Sequence, residues 1–210
     1  MTETNPIFDG HLDLSMNVRR GRDITQPASA QPVVDNEIAT VGLPDLHRGN
    51  VRRICATIFC LPSIAGAPGY TTAQEAFDEA NTQLAIYQQI LPAADGLDAT
   101  ILIEGADCVR DPADLALFWR QGVRIIGLAW QRTRYSGGSG APGPLTAIGQ
   151  ELVKEMDQIG FVHDASHLAE ESFWNLMDIV AGPVIASHSN CRAIVGDDPK
   201  ERHLSDDMIR

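Results

Sequence analysis

The sequence predicts a (β/α)8 barrel of the TIM type, truncated after its sixth strand. Three observations predict it. Short apolar strands alternate with amphipathic helices along the chain, which implies parallel βαβ units. No GxGxxG follows the first strand, which removes the main sign of a doubly wound dinucleotide-binding sheet, the other architecture open to six such strands. His11, His167, His188 and the strand-ending acids fall at the C-terminal ends of strands, where barrels collect their chemistry.

The elements follow in order. Ile7 to Asp13 reads as a strand that turns polar at its end. Val51 to Leu61 holds a β-branched apolar run bounded by Gly49-Asn50 and Pro62, a buried strand, and Pro62 to Gly69 has loop chemistry. Thr72 to Leu91 places Ala76, Phe77, Ala80, Leu84, Tyr87 and Leu91 near helical spacing. Thr71 or Thr72 caps it, with Glu75 three residues after Thr72. Ala99 to Glu104 is a short buried strand. Asp111-Pro112 opens a helix to Arg120, with proline at its first position. Gly122 to Trp130 gives a fourth strand, and Ser136 to Pro144 a long flexible loop. Helix Thr146 to Ile159 leads to strand Phe161 to Ser166. Helix Ala169 to Val180 leads to strand Pro183 to Ser187, and another helix begins at Ser205.

Composition narrows the class. The 210 residues suit one domain, residues 1–210, with enough chain to bury a core; 44% are hydrophobic, too many for a disordered chain. A formal net charge of -12 argues against nucleic acid or an anionic membrane as partner. The N-terminus lacks the basic and apolar regions of a signal peptide, and no apolar run approaches the roughly 20 residues that span a bilayer. Cys55, Cys60, Cys108 and Cys191 form no CxxC pair, so we expect reduced thiols in a cytoplasmic protein. A homodimer is one assembly open to it.

The candidate ligands come next. Side chains alternate along a strand, so His11 and Asp13 face one side and can bind one cation together, or serve as a surface or capping pair. Glu104 closes an apolar strand before Gly105, either leaving the core for solvent or pointing into a functional rim. His167 and His188 each follow a serine at the end of successive strands. Three histidines and two carboxylates suit zinc or a similar divalent ion. Five ligands exceed what one catalytic zinc needs, so two metals sharing a carboxylate is the economical arrangement.

The segments FDGHLDL, LIEGAD, GPLTAIGQELVKEMDQIGFVHDASH and GPVIASHSNCRAI resemble, in order and spacing, the motifs of the membrane (renal) dipeptidase family of zinc peptidases. The resemblance implies a (β/α)8 barrel with a binuclear zinc centre and a dipeptide or other small-molecule substrate. It implies that His11 and Asp13 hold one metal, His167 and His188 the other, and that Glu104 bridges both. Arg202, within Arg202-His203-Leu204-Ser205-Asp206, matches the arginine that meets the substrate carboxylate.

Two departures from the family pattern stand out. Trp130 occupies the place of a histidine that polarises the scissile carbonyl, and indole only donates and cannot become charged. Trp130 either packs as a wall of the substrate site or offers its N–H to the developing oxyanion; Arg132 or Arg134 is a replacement donor or a surface charge. A complete barrel needs about 250 residues, and the aspartate on the family's last strand has no counterpart here. The expected function is hydrolysis of a small amide by a water bridging two zinc ions. The alternatives are a lactone or ester hydrolase on the same scaffold, and a truncated or degenerate barrel that binds metal without turnover.

Overall fold

A computed structural model of the chain describes residues 5–64 and 68–210. Residues 1–4 of the N-terminal segment and residues 65–67 of the loop expected over Pro62 to Gly69 lie outside the described residues. Six strands, β1 (Ile7–Leu12), β2 (Val51–Phe59), β3 (Asp98–Glu104), β4 (Val123–Gly127), β5 (Val162–Asp164) and β6 (Val184–Ile185), form one sheet in sequence order. Each pairs in parallel with the next. Eight helices accompany them among the described residues: α1 (Leu14–Arg19), α2 (Leu43–Arg48), α3 (Ala73–Ile90), α4 (Ala113–Arg120), α5 (Ala147–Ile159), α6 (Glu170–Met177), α7 (Arg192–Val195) and α8 (Asp206–Ile209). The sheet curls into an arc that matches a truncated (β/α) barrel.

Local chemistry explains the longer elements. Thr72 accepts a hydrogen bond from the Glu75 amide at 3.2 Å while Glu75 reaches back to the Thr72 amide at 3.0 Å, so the capping box forms. Thr146 caps α5 through the Gly149 amide, and α5 stops at Gly160, whose φ of 101° is left-handed. Pro112 stands just before α4 rather than inside its first turn. The apolar faces of these helices and the strands meet in one core that includes Ile54, Ile58, Leu84, Tyr87, Ile103, Phe118 and Phe161.

Register delivers the site. Phe59 is level with Glu104, Glu104 with Gly127, and Gly127 with Asp164. A row across the C-terminal ends of β2 to β5 therefore carries the polar groups. The end of β2 is fixed by buried Gln83 of α3, whose amide accepts from Phe59 N at 3.1 Å and donates to Phe59 O at 2.6 Å. The Tyr87 hydroxyl donates to Thr57 O at 2.6 Å from the same helix face.

Several boundaries differ from expectation. β5 and β6 hold three and two residues, because the chain leaves the sheet at Asp164 and Ile185 to turn toward the site. β4 stops at Gly127, so Trp130 lies beyond the strand. Ser136 to Ser139 are buried instead of forming a free loop. Their backbone is held there by Ser139 N to Trp130 O, Gly137 N to the Ser172 hydroxyl, and Gly137 O accepting from Ala169 N. Short α1 and α2 were not expected, since six residues offer too little periodicity to read. All four thiols are free, with Cys55, Cys60 and Cys108 buried. No described helix is long and apolar enough to cross a membrane.

Candidate metal centre

Two glycines permit the site. Gly105 takes φ 81° directly after Glu104, turning the chain sharply while the carboxylate stays inside. A Cβ on Gly10 would lie 2.2 Å from the backbone oxygen of Ser187, so only glycine lets the ends of β1 and β6 approach this closely. His167 holds φ 67°, an uncommon conformation for a residue with a side chain, at the turn that leads out of β5.

The five predicted ligands come together. Glu104, 6% exposed, places Oε1 2.9 Å from His167 Nε2 and 3.0 Å from His188 Nε2. Its other oxygen lies 3.8 Å from His11 Nε2, which is 3.3 Å from Asp13 Oδ2. The two Nε2 atoms of His167 and His188 are 3.1 Å apart. One ligand atom each from His11, Glu104 and His188 lies within 4.8 Å of the others.

Each imidazole is backed on its far side by a hydroxyl. Thr57 Oγ1 stands 3.3 Å from His11 Nδ1, Ser139 Oγ 3.1 Å from His167 Nδ1 and Ser187 Oγ 2.7 Å from His188 Nδ1. With Nδ1 engaged there, all three Nε2 atoms turn inward toward one carboxylate. Such backing is how metal-binding histidines are oriented.

Electrostatics favour a cation. Burial alone would raise the Glu104 pKa, yet hydrogen bonds from His167 and His188 and the field of His11 take it down to about 2. Burial opposes charge on His11, but Asp13, Glu104 and Asp164 outweigh it and raise its pKa; at His167 burial wins and lowers it. Asp13 Oδ1 is a buried acceptor without a hydrogen-bond partner, on the carboxylate whose Oδ2 faces His11. Nitrogen and carboxylate donors crowded at such distances fit a divalent transition ion such as zinc.

The remaining predicted residues line the rim. Arg202, half-buried, donates to His188 O at 2.9 Å and Ser189 Oγ at 3.2 Å, and no described carboxylate lies within ion-pair distance. Burial lowers its pKa. Trp130 packs against Phe59 with ring centroids 5.0 Å apart and stands 6.5 Å from the His167 ring. Its N–H makes no hydrogen bond among the described residues, so the geometry is that of a wall. Arg132 donates to Pro142 O, and Arg134 to Val109 O and the Tyr135 hydroxyl, so both guanidinia are engaged in structure. Sequence reasoning passed over Phe59, Thr57, Ser139, Asp164 and Ser187. The paired Ser-His dipeptides were the one available signal, and they pointed to Ser187 but not to Asp164.

An arc of parallel barrel strands with a candidate metal centre at their C-terminal ends defines the class of protein. The model of the membrane dipeptidase family (peptidase family M19) matches residues 1–210, and the chain belongs to that family. Dipeptidase 3 of Mus musculus is 26% identical over 223 aligned residues, covering 90% of this chain and 42% of that protein. Dipeptidase tcpJ of Claviceps purpurea is 33% identical over 100 residues, 45% of this chain and 23% of that protein. The chain thus spans less than half the length of these curated relatives. Among solved structures, dipeptidase AC, a metallo peptidase of family M19, superposes with a TM-score of 0.76 at 25% identity, covering 99% of this chain and 69% of that one. A metallo peptidase of Rhodobacter sphaeroides, liganded with a phosphinate mimic of the dipeptide L-Ala-D-Ala, has the same fold, with a TM-score of 0.76 at 24% identity over 99% of this chain and 70% of that one.

Proposed function

We propose that this protein is a binuclear zinc hydrolase that cleaves a small amide, a dipeptide first of all. The observation that carries the reading is the convergence of three imidazole Nε2 atoms on the two oxygens of Glu104, with Asp13 beside them. In this reading His11 and Asp13 hold one ion, His167 and His188 the other, and Glu104 both. When bound, two divalent ions supply an activated water and polarise the scissile carbonyl.

The chain's own residues do the rest. Arg202 has no carboxylate within ion-pair distance among the described residues, and although Nη1 and Nη2 each make one hydrogen bond, its remaining N–H groups meet the substrate carboxylate. Phe59 and Trp130 form an aromatic corner beside His167 that excludes water from one side of the substrate. Thr57, Ser139 and Ser187 keep the imidazoles aimed inward.

A second reading, hydrolysis of lactones or activated esters, is favoured by Trp130, which brings no charged donor to the carbonyl oxygen. The test loads the 210-residue chain with zinc, measures bound metal, and compares L-Ala-D-Ala with an activated ester. Two zinc equivalents with dipeptide turnover are expected. Failure to bind zinc would overturn both readings, and two bound equivalents with ester turnover alone would favour the second.

A further inference from the structure

We infer that Asp164 and Ser187 form a carboxylate–hydroxyl relay that keeps the proton of His188 on Nδ1 and its Nε2 lone pair facing the metal centre. The inference rests on the metal-centre reading above and assigns two positioning residues to it.

The argument is a count of protons. A serine hydroxyl has one to give. Ser187 Oγ lies 2.5 Å from Asp164 Oδ2, a charge-assisted distance, whereas its neutral alternative, Ser166 Oγ, is 3.3 Å away. The proton therefore goes to Asp164. Toward His188 Nδ1, 2.7 Å away, Ser187 can then show only lone pairs. Two facing lone pairs at that distance would repel, so Nδ1 carries a proton, and a metal ion at Nε2 would stand where an Nε2–H otherwise faces Glu104 Oε1, 3.0 Å away.

Asp164 is fixed for this task. It is 2% exposed, and its Oδ1 accepts from both the Ser166 and Ser187 amides at 3.0 Å. One carboxylate thus ties the turn that carries His167 to the turn that carries His188. Ser166 Oγ adds a contact by accepting from the His188 amide at 3.1 Å. The hydroxyls behind His11 and His167 have no comparable carboxylate: Thr57 Oγ1 reaches a backbone oxygen, that of Cys55, at 3.5 Å. Of the three imidazoles at the site, His188 is the one whose backing hydroxyl is tied to a carboxylate among the described residues.

Zinc affinity, measured by chelator competition on the full 210-residue chain, tests this without reference to turnover. Removing an outer-shell partner of this kind costs about 10- to 100-fold in metal affinity. Ser187→Ala and Asp164→Asn should each weaken zinc binding by that factor, and Ser187→Thr, which keeps the hydroxyl, should restore it. Because the two act in series, the double variant should bind no more weakly than the weaker single one. Additive losses, or Ser187→Ala binding zinc as the unmodified chain does, would overturn the relay. His188→Ala separates the two levels. If it binds zinc normally, the metal-centre reading itself is wrong; if it loses zinc while Ser187→Ala does not, only the relay is. Should Asp164→Asn fail to fold, the comparison of Ser187→Ala with Ser187→Thr decides.

Discussion

The imidazoles of His11 and His188 stack with centroids 3.8 Å apart and planes inclined by 30°, bringing the first and last strands of the arc together at the site. These strands are not hydrogen-bonded neighbours in the sheet. At the other end of β1, Ile7 and Phe8 stay exposed. The site thus depends on a close approach at one end of the strands, and Gly10 permits it.

Gly10→Ala should therefore damage the centre from outside it. The added carbon would sit 2.2 Å from Ser187 O, and backbone cannot yield cheaply. Overpacking of this kind costs about 1–3 kcal/mol. We expect a lower urea midpoint together with weaker zinc binding; unchanged zinc affinity would mean that the approach of β1 to β6 does not shape the site.

Glu104→Gln keeps shape and removes the charge on which three imidazoles converge. Zinc should be lost from the centre, and turnover should fall by more than ~100-fold, beyond the range of outer-shell changes. Metal analysis of the purified variant checks this, and retention of two equivalents would refute the bridge.

Arg202→Lys addresses substrate recognition. Lysine keeps the charge but cannot make two parallel hydrogen bonds to a carboxylate. KM for a dipeptide should rise far more than kcat falls. Steady-state kinetics with a free and an amidated C-terminus would expose the alternative, since an arginine that ignores the carboxylate would leave the two substrates unchanged in ratio.

Trp130→His tests the departure from the family pattern. One good donor to a developing oxyanion is worth roughly 3–4 kcal/mol, and the comparison that reads it is between two substrates of one enzyme. The unmodified protein should be relatively better on activated esters than on dipeptides, and the variant should raise the dipeptide-to-ester ratio. Vigorous dipeptide turnover by the unmodified protein would place the donor elsewhere. Arg132 and Arg134, both engaged with backbone oxygens, are poor replacements.

Acid should loosen the junction of α5 with β5 and β6. Asp157 accepts from the Ala181 and Gly182 amides at 2.9 Å and from His163 at 2.8 Å. Burial alone would raise its pKa, but those donors hold it below its ordinary 3.8, so its contribution is present above that value and fades as pH falls below it. Burial lowers the His163 pKa below 6.5, so that residue too stabilises the fold above 6.5 and resists protonation as pH falls. Asp157→Asn should cost about 1.5–3 kcal/mol near neutral pH and flatten the loss of stability below pH 3.8, read from urea midpoints across pH. A parallel pH profile for the variant would dismiss the junction.

Much of this was legible in the sequence, for local reasons. The capping box at Thr72 and Glu75, the cap at Thr146 and the β-branched run of β2 are decided by neighbours in the chain, so periodicity and capping rules recover α3, α5 and β2 to within a residue or two. The alternation of side chains along β1 put His11 and Asp13 on one side, and the strand-end positions of Glu104, His167 and His188 marked them as partners. Tertiary structure alone decided the rest. Whether Ser136–Ser139 hang free or pack beneath Trp130 depends on hydrogen bonds to Trp130 and Ser172, which no local pattern encodes. Phe59 became Trp130's neighbour because β2 and β3 pair in a register that sets Phe59 level with Glu104. Asp164 became the tie between two histidine turns because β5 and β6 lie side by side, 21 residues apart between Ser166 and Ser187. Sequence names the groups able to bind a metal, since that is a property of the side chain; which hydroxyl or carboxylate stands behind each one is a property of distance, and distance between remote residues exists only in the fold.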